Sequence, residues 1–167
     1  MLIDAIKISF NARIIQITTF HIAQVNVAQA KADMDSDLMQ GFVSRLDEIN
    51  TLAESAEGFI WRLQEDSGSA TAIRVFDDPL LLINMSVWAN LEALKHYVYK
   101  SLHVELIKDR EVWFNKMGES HQALWWIPAG HIPSTEEARK KLEYIRKNRP
   151  SADAFTFAKP YPTPMPP

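Results

Sequence analysis

Residues 20–27, FHIAQVNV, alternate with a period of two: His21, Ala23, Val25 and Val27 share one side, and Phe20, Ile22, Gln24 and Asn26 the other. Successive strand side chains point to opposite faces, so this stretch predicts the first strand. The period then changes. After the polar KADMDSD segment, Leu38, Phe42, Leu46, Ile49 and Ala53 recur at helical spacing, with Ser36 or Asp37 placed to cap the start and Gly58 just past the end. A helix of about four to five turns follows from that spacing. Residues 58–63, GFIWRL, read as a strand, and the turn chemistry of Asp66-Ser-Gly68 joins it to a shorter extended piece over 70–76, making a hairpin. Asp77-Asp-Pro79 breaks the chain before Leu80 to Trp88, the most strand-like run present.

Asn90 is placed to cap a helix whose inner face holds Leu91, Leu94 and Val98, and Ser101 to cap a second helical piece with no Pro or Gly between them. In that second piece, SLHVELIKDREVWFNKM, an apolar line of Leu106, Ile107, Trp113, Phe114 and Met117 also carries His103 and Arg110, seven residues apart. Seven residues are about two turns and about 10 Å of rise, so a helix burying this line takes both ionisable groups inward. Residues 122–127 form a last strand stopped by Pro128, with Trp125 and Trp126 on opposite sides, and Pro133-Ser-Thr-Glu-Glu opens an amphipathic helix through Arg146. The tail PSADAFTFAKPYPTPMPP is extended, with Phe155 and Phe157 as residues that dock on the body.

This order predicts an α+β, ferredoxin-like split βαβ domain over 20–132, an antiparallel sheet with helices on one face, followed by a C-terminal helix and proline-rich tail over 133–167 on the same domain. Residues 1–19 stand as an N-terminal extension. Ile83, Met85 and Val87 oppose Leu82 and Trp88 along one strand, so both sheet faces carry bulk and a second copy is expected over the uncovered face. A homodimer is the economical arrangement.

Composition narrows the partners. The chain has 167 residues, a formal charge of −3 and no cysteine. Thinly spread Lys and Arg provide no basic stripe for nucleic acid. No apolar run reaches the length of a membrane-spanning helix, the first nineteen residues make a poor signal peptide, and disulfides and thiolate chemistry are excluded, so a cytoplasmic protein is expected.

The polar residues expected to face the same space as His103 and Arg110 are Asn26, Gln24, Arg62 and Asn84, with Trp61, Trp88, Trp113 and Trp125 or Trp126 as walls. Few polar groups converging in an apolar pocket describe a small-molecule site. There His103 serves as a proton shuttle, Arg110 or Arg62 holds a carboxylate, enolate or phenolate, and Asn26, Arg62, Asn84, Trp88 and Trp113 contact substrate. A purely structural alternative pairs Arg110 with Asp47 or Glu48, lets His103 donate to a backbone carbonyl and leaves the tryptophans to packing. His21, His96, His121 and His131 lack a ligand spacing, so no metal site is expected, and glycine-rich phosphate or dinucleotide motifs are missing.

The strings HIAQVN (21–26), DEIN (47–50), GFIWRL (58–63), NMSVW (84–88), YKSLH (99–103), REVWF (110–114) and LWWIPAGH (124–131) together resemble an uncharacterised bacterial family of the dimeric α+β-barrel superfamily, a domain of unknown function, over about residues 20–157. That architecture is distantly similar to antibiotic-biosynthesis monooxygenases, haem-degrading monooxygenases, muconolactone isomerase and aldoxime dehydratases. The resemblance implies a small-molecule enzyme of oxygenase or isomerase type acting on an apolar aromatic or polyketide-like substrate. It needs either no cofactor or a haem with His103 as axial ligand. The remaining alternative is a non-catalytic dimeric binding module.

Overall fold

The computed structural model describes residues 19–66 and 68–165, so nearly all of the N-terminal extension lies outside it. The strand predicted from period-two alternation is the centre of the sheet. It runs as β1 (Phe20–Ala30), between β3 (Leu81–Trp88) and β5 (Gln122–Pro128), with β2 (Phe59–Arg62) outside β3 and the two-residue β4 (Phe114–Asn115) on the far end of β1. All pairings are antiparallel. The register sets Ile22 beside Trp88 and Trp126, Gln24 beside Ser86 and Leu124, and Asn26 beside Asn84 and Gln122. These pairs share one face.

Above that face stand α1 (Gln40–Val43), α2 (Leu46–Glu54), α3 (Leu91–Lys100), α4 (His103–Leu106) and α5 (Arg110–Trp113). Two separate apolar clusters anchor them. Ile22, Trp88, Leu94, Tyr97, Leu124 and Phe155 form one, and Ala30, Met39, Leu82 and Trp113 the other. The middle of the face, at Gln24, Asn26, Asn84 and Ser86, belongs to neither.

The opposite face holds the largest core. Ala23, Val25, Val27, Met85, Val87, Trp125 and Ile127 pack under Ala138, Leu142 and Ile145 of α6 (Thr135–Lys147), with Trp61, Leu63, Ile73, Val75 and Phe76 around them. Val25, Val87 and Leu142 are fully buried within one chain. The face for which the hydrophobic pattern suggested a second copy is therefore filled from within. Ser134 caps α6 by accepting from the Glu137 amide, and Trp125 Nε1 donates to Glu137 Oε1 at 2.8 Å, which fixes the helix over β5.

Three expectations change. The segment 70–76 forms no strand and no hairpin; its Ile73, Val75 and Phe76 serve as side-chain packing instead. The helix expected over 38–53 breaks at Ser44 and Arg45. There Gly41 lies so close to the Trp113 ring that a Cβ would stand 3.1 Å from it, and Arg45 is drawn over that ring and to Asp109, at 3.0 Å. The helix expected over 101–117 is two single turns, because Lys31 N donates to Trp113 O at 2.9 Å and Phe114 pairs with Ala30, pulling the chain into the sheet. The tail docks as expected: Phe155 and Leu124 exchange backbone bonds of 2.9 and 2.8 Å, and Phe157 packs beside them.

Candidate functional site

Three rows of side chains cross the helix-covered face. The first is aromatic, with Phe59 edge-on to Trp88 at 5.4 Å. The second is Arg62, Ser86 and Gln24, and the third is Asn84, Asn26 and Gln122. Gln24 Nε2 donates to both Asn84 Oδ1 at 2.8 Å and Ser86 Oγ at 3.0 Å, while Trp88 Nε1 donates to the same Oγ at 2.9 Å. With Gln24 only 5% exposed, this network is satisfied inside the fold, the condition under which buried polar groups are stable. Asn84 is nevertheless exposed although its strand is interior to the sheet.

His103 reaches this face through a stack. Tyr97 lies on Trp88 at 4.9 Å with an interplanar angle of 27°, and the His103 ring lies tilted on Tyr97 at 4.7 Å. The position follows from the break at Ser101, whose backbone is extended. Its hydroxyl donates to Tyr97 O at 2.5 Å and accepts from His103 N at 3.1 Å, closing α3 and opening α4 with one side chain. Burial holds the His103 pKa below the ordinary 6.5; a hydrogen bond to the Val98 backbone opposes this, as the structural alternative expected, and the Arg110 charge adds to the lowering. The imidazole is thus neutral near pH 7. Burial also pushes the Tyr97 phenol up to about 12, against the pull of Arg62, so it stays protonated.

The structure brings together Asn26, Arg62, Asn84 and Trp88 on one face, with His103 over its aromatic end. It leaves Arg110 exposed, off the buried line but near enough for its charge to act on His103. Arg110 opens a separate helical turn and is exposed, because Ile107 and Asp109 end the first turn and rotate the line that joined the pair. Nor is Arg110 the partner of Asp47 or Glu48; Asp109 meets Arg45 instead. Arg62 is committed to Glu54, Nε to Oε1 at 2.7 Å. Trp113 is sealed against Phe42, Gly41 and Arg45 in the far cluster. Trp88 is wholly buried, so it supports Tyr97 and offers no surface to a ligand.

Residues 21–166 match the profile of a family described as a domain of unknown function, DUF3291. The chain belongs to this family. No curated protein matches the DUF3291 chain. Among solved structures it is similar to SnoaB, a cofactor-independent oxygenase from Streptomyces nogalater, at 12% identity, 67% of this chain, 95% of that one and a TM-score of 0.42. A putative antibiotic biosynthesis monooxygenase from Chloroflexus aurantiacus shares 13% identity over 69% and 98% of the chains, TM-score 0.40. A dabb family protein with a ferredoxin-like fold from Mesorhizobium loti shares 17% over 70% and 99%, TM-score 0.40. These are likenesses of fold, at identities too low to speak to activity.

Tyr97, Ser86 and Gln122 were not singled out in the DUF3291 sequence. Ser86 had a signal, since it alternates with Asn84 and Trp88 on one side of a strand. Tyr97 had a weaker one, lying three residues after Leu94 on the helix line. Two open clefts of about 360 and 390 Å³ lie elsewhere. One is beside Asp33, Thr71, Arg74 and Leu82, the other between Asn90, Lys95, Trp126 and Tyr161, and neither is lined by His103. A haem iron would take a ring nitrogen of His103, and neither of these two clefts is lined by that residue. Among the described residues no cluster of His, Asp and Glu could hold a metal ion, and no helix is long and apolar enough to cross a membrane.

Proposed function

We propose that this chain is a cofactor-independent small-molecule enzyme of oxygenase or isomerase type, in which His103 takes a proton from a substrate bound over the Asn26 and Asn84 side of the sheet. The observation that carries this reading is the His103 imidazole itself, held neutral by burial and set on the stack of Tyr97 and Trp88. A neutral imidazole can take up a proton near neutral pH. The substrate class is an apolar aromatic or polyketide-like carbon acid. Nδ1 or its ring partner accepts the proton from a carbon next to a carbonyl, and the electron pair delocalises into the enolate. An isomerase returns the proton at another carbon, and an oxygenase passes the electrons to dioxygen. Tyr97, protonated to about pH 12, keeps the imidazole face dry and neutral.

Deuterium exchange at the acidic carbon of a panel of anthrones and β-diketones, followed by NMR with parallel oxygen uptake, tests the reading. The wild type accelerates exchange, and His103→Ala loses at least about 100-fold with an unchanged circular dichroism spectrum. Equal rates in both proteins, or no acceleration anywhere in the panel, contradict it. The competing reading, a non-catalytic binding module, is favoured by one observation: the two clefts lie away from His103.

A further inference from the structure

The polar middle of the helix-covered face points to the electrical character of what binds there. Asn84, Asn26 and Gln122 stand in register on β3, β1 and β5, one strand apart, and all share the helix-covered face. Adjacent strands are about 4.8 Å apart, so the three amides form a row about 10 Å long. Gln24 aims the row. By donating to Asn84 Oδ1 at 2.8 Å it fixes the flip of that amide, leaving the Asn84 NH₂ as the group turned to the open side. Gln24 is itself held to Ser86, and Ser86 to Trp88, so the donor rests on a satisfied scaffold.

Among the described residues no Lys or Arg stands in this row. Arg62, the basic residue of the second row, is paired with Glu54 at 2.7 Å, and Arg110 is exposed. A carboxylate laid over the row would lose water and gain no countercharge. Amide groups instead match carbonyl, hydroxyl and amide groups, each at the cost of one exchanged hydrogen bond.

We infer that the Asn84, Asn26 and Gln122 row is a recognition site for a neutral, flat ligand carrying two or more carbonyl, hydroxyl or amide groups along one edge, and that it rejects the corresponding anion. This inference rests on the substrate-binding place assigned under the proposed function and replaces the anion-holding role expected of the arginines. It names the ligand's charge and edge chemistry.

Coumarin-3-carboxamide and coumarin-3-carboxylate provide a near-isosteric neutral and anionic pair. Their binding to the full chain is read by quenching of tryptophan fluorescence and by probe anisotropy. The wild type binds the carboxamide at least 10-fold more tightly than the carboxylate. Asn84→Asp weakens carboxamide binding at least 10-fold, and Gln122→Ala weakens it several-fold. His103→Ala leaves carboxamide binding within 2-fold while removing proton exchange, so the two proposals separate. If carbon-acid exchange fails but the carboxamide preference and its dependence on Asn84 hold, the recognition site stands. Equal or tighter carboxylate binding, binding of neither probe, or an Asn84→Asp variant that binds the carboxamide like the wild type overturns it.

Discussion

At the scale of single residues, the state of His103 follows from what surrounds it. Tyr97 covers its ring, and burial disfavours the imidazolium. Below pH 6.5 the unfolded chain takes up a proton that folded His103 resists. Stability therefore falls as pH drops from 6.5 toward the lower folded value, and this group contributes nothing above 6.5. Urea unfolding should show this acid-side loss in the wild type and a smaller one in His103→Gln. Tyr97 acts at the other extreme: its raised value removes stability as pH climbs above 10 toward about 12, and Tyr97→Phe removes that dependence. Trp88→Phe keeps the ring on which Tyr97 stacks but deletes the bond to Ser86, so a loss of about 1 kcal/mol is expected in urea titration. The alternation of Gln24, Asn26, Asn84 and Trp88 was legible because strand parity depends on sequence alone. The commitment of Arg62 to Glu54 was not, because it joins a helix end to a strand through tertiary packing.

At the scale of elements, punctuation decides where His103 ends up. Gly58 adopts φ +80° and lies so near Ala93 that a Cβ would approach its methyl to 2.6 Å, which lets α2 turn tightly into β2. Ser101 bonds backward to Tyr97 O and forward to His103 N. Ser101→Ala should cost about 1 kcal/mol and loosen the stack, seen as broadened His103 ring signals in NMR. The cap at Asn90 was legible because it is a local side-chain bond. The single-turn form of 101–117 was not. Its apolar spacing suits one helix, but the backbone bond from Lys31 and the pairing of Phe114 with Ala30 come from residues more than eighty positions earlier. The apolar 70–76 piece misled in the opposite direction, since Ile73, Val75 and Phe76 satisfy a core by side chains without entering a ladder.

At the scale of the molecule, the sheet has two different faces. One is a continuous core under α6; the other is divided by a polar middle between two apolar clusters. The first face makes α6 integral to the domain. Leu142→Ala should cost about 2–5 kcal/mol, and Leu142→Asp should yield aggregated protein in size-exclusion chromatography by exposing Val25, Val87 and Trp125. The second face carries the functional claim, that His103 is held as a neutral base over the aromatic end of a sheet face whose middle is a row of amides. Titration of the His103 ring by ¹H–¹⁵N NMR in the full chain measures that most directly. The midpoint should lie below 6.5 and rise when Arg110→Ala removes the nearby charge. A midpoint at or above 6.5 would contradict it.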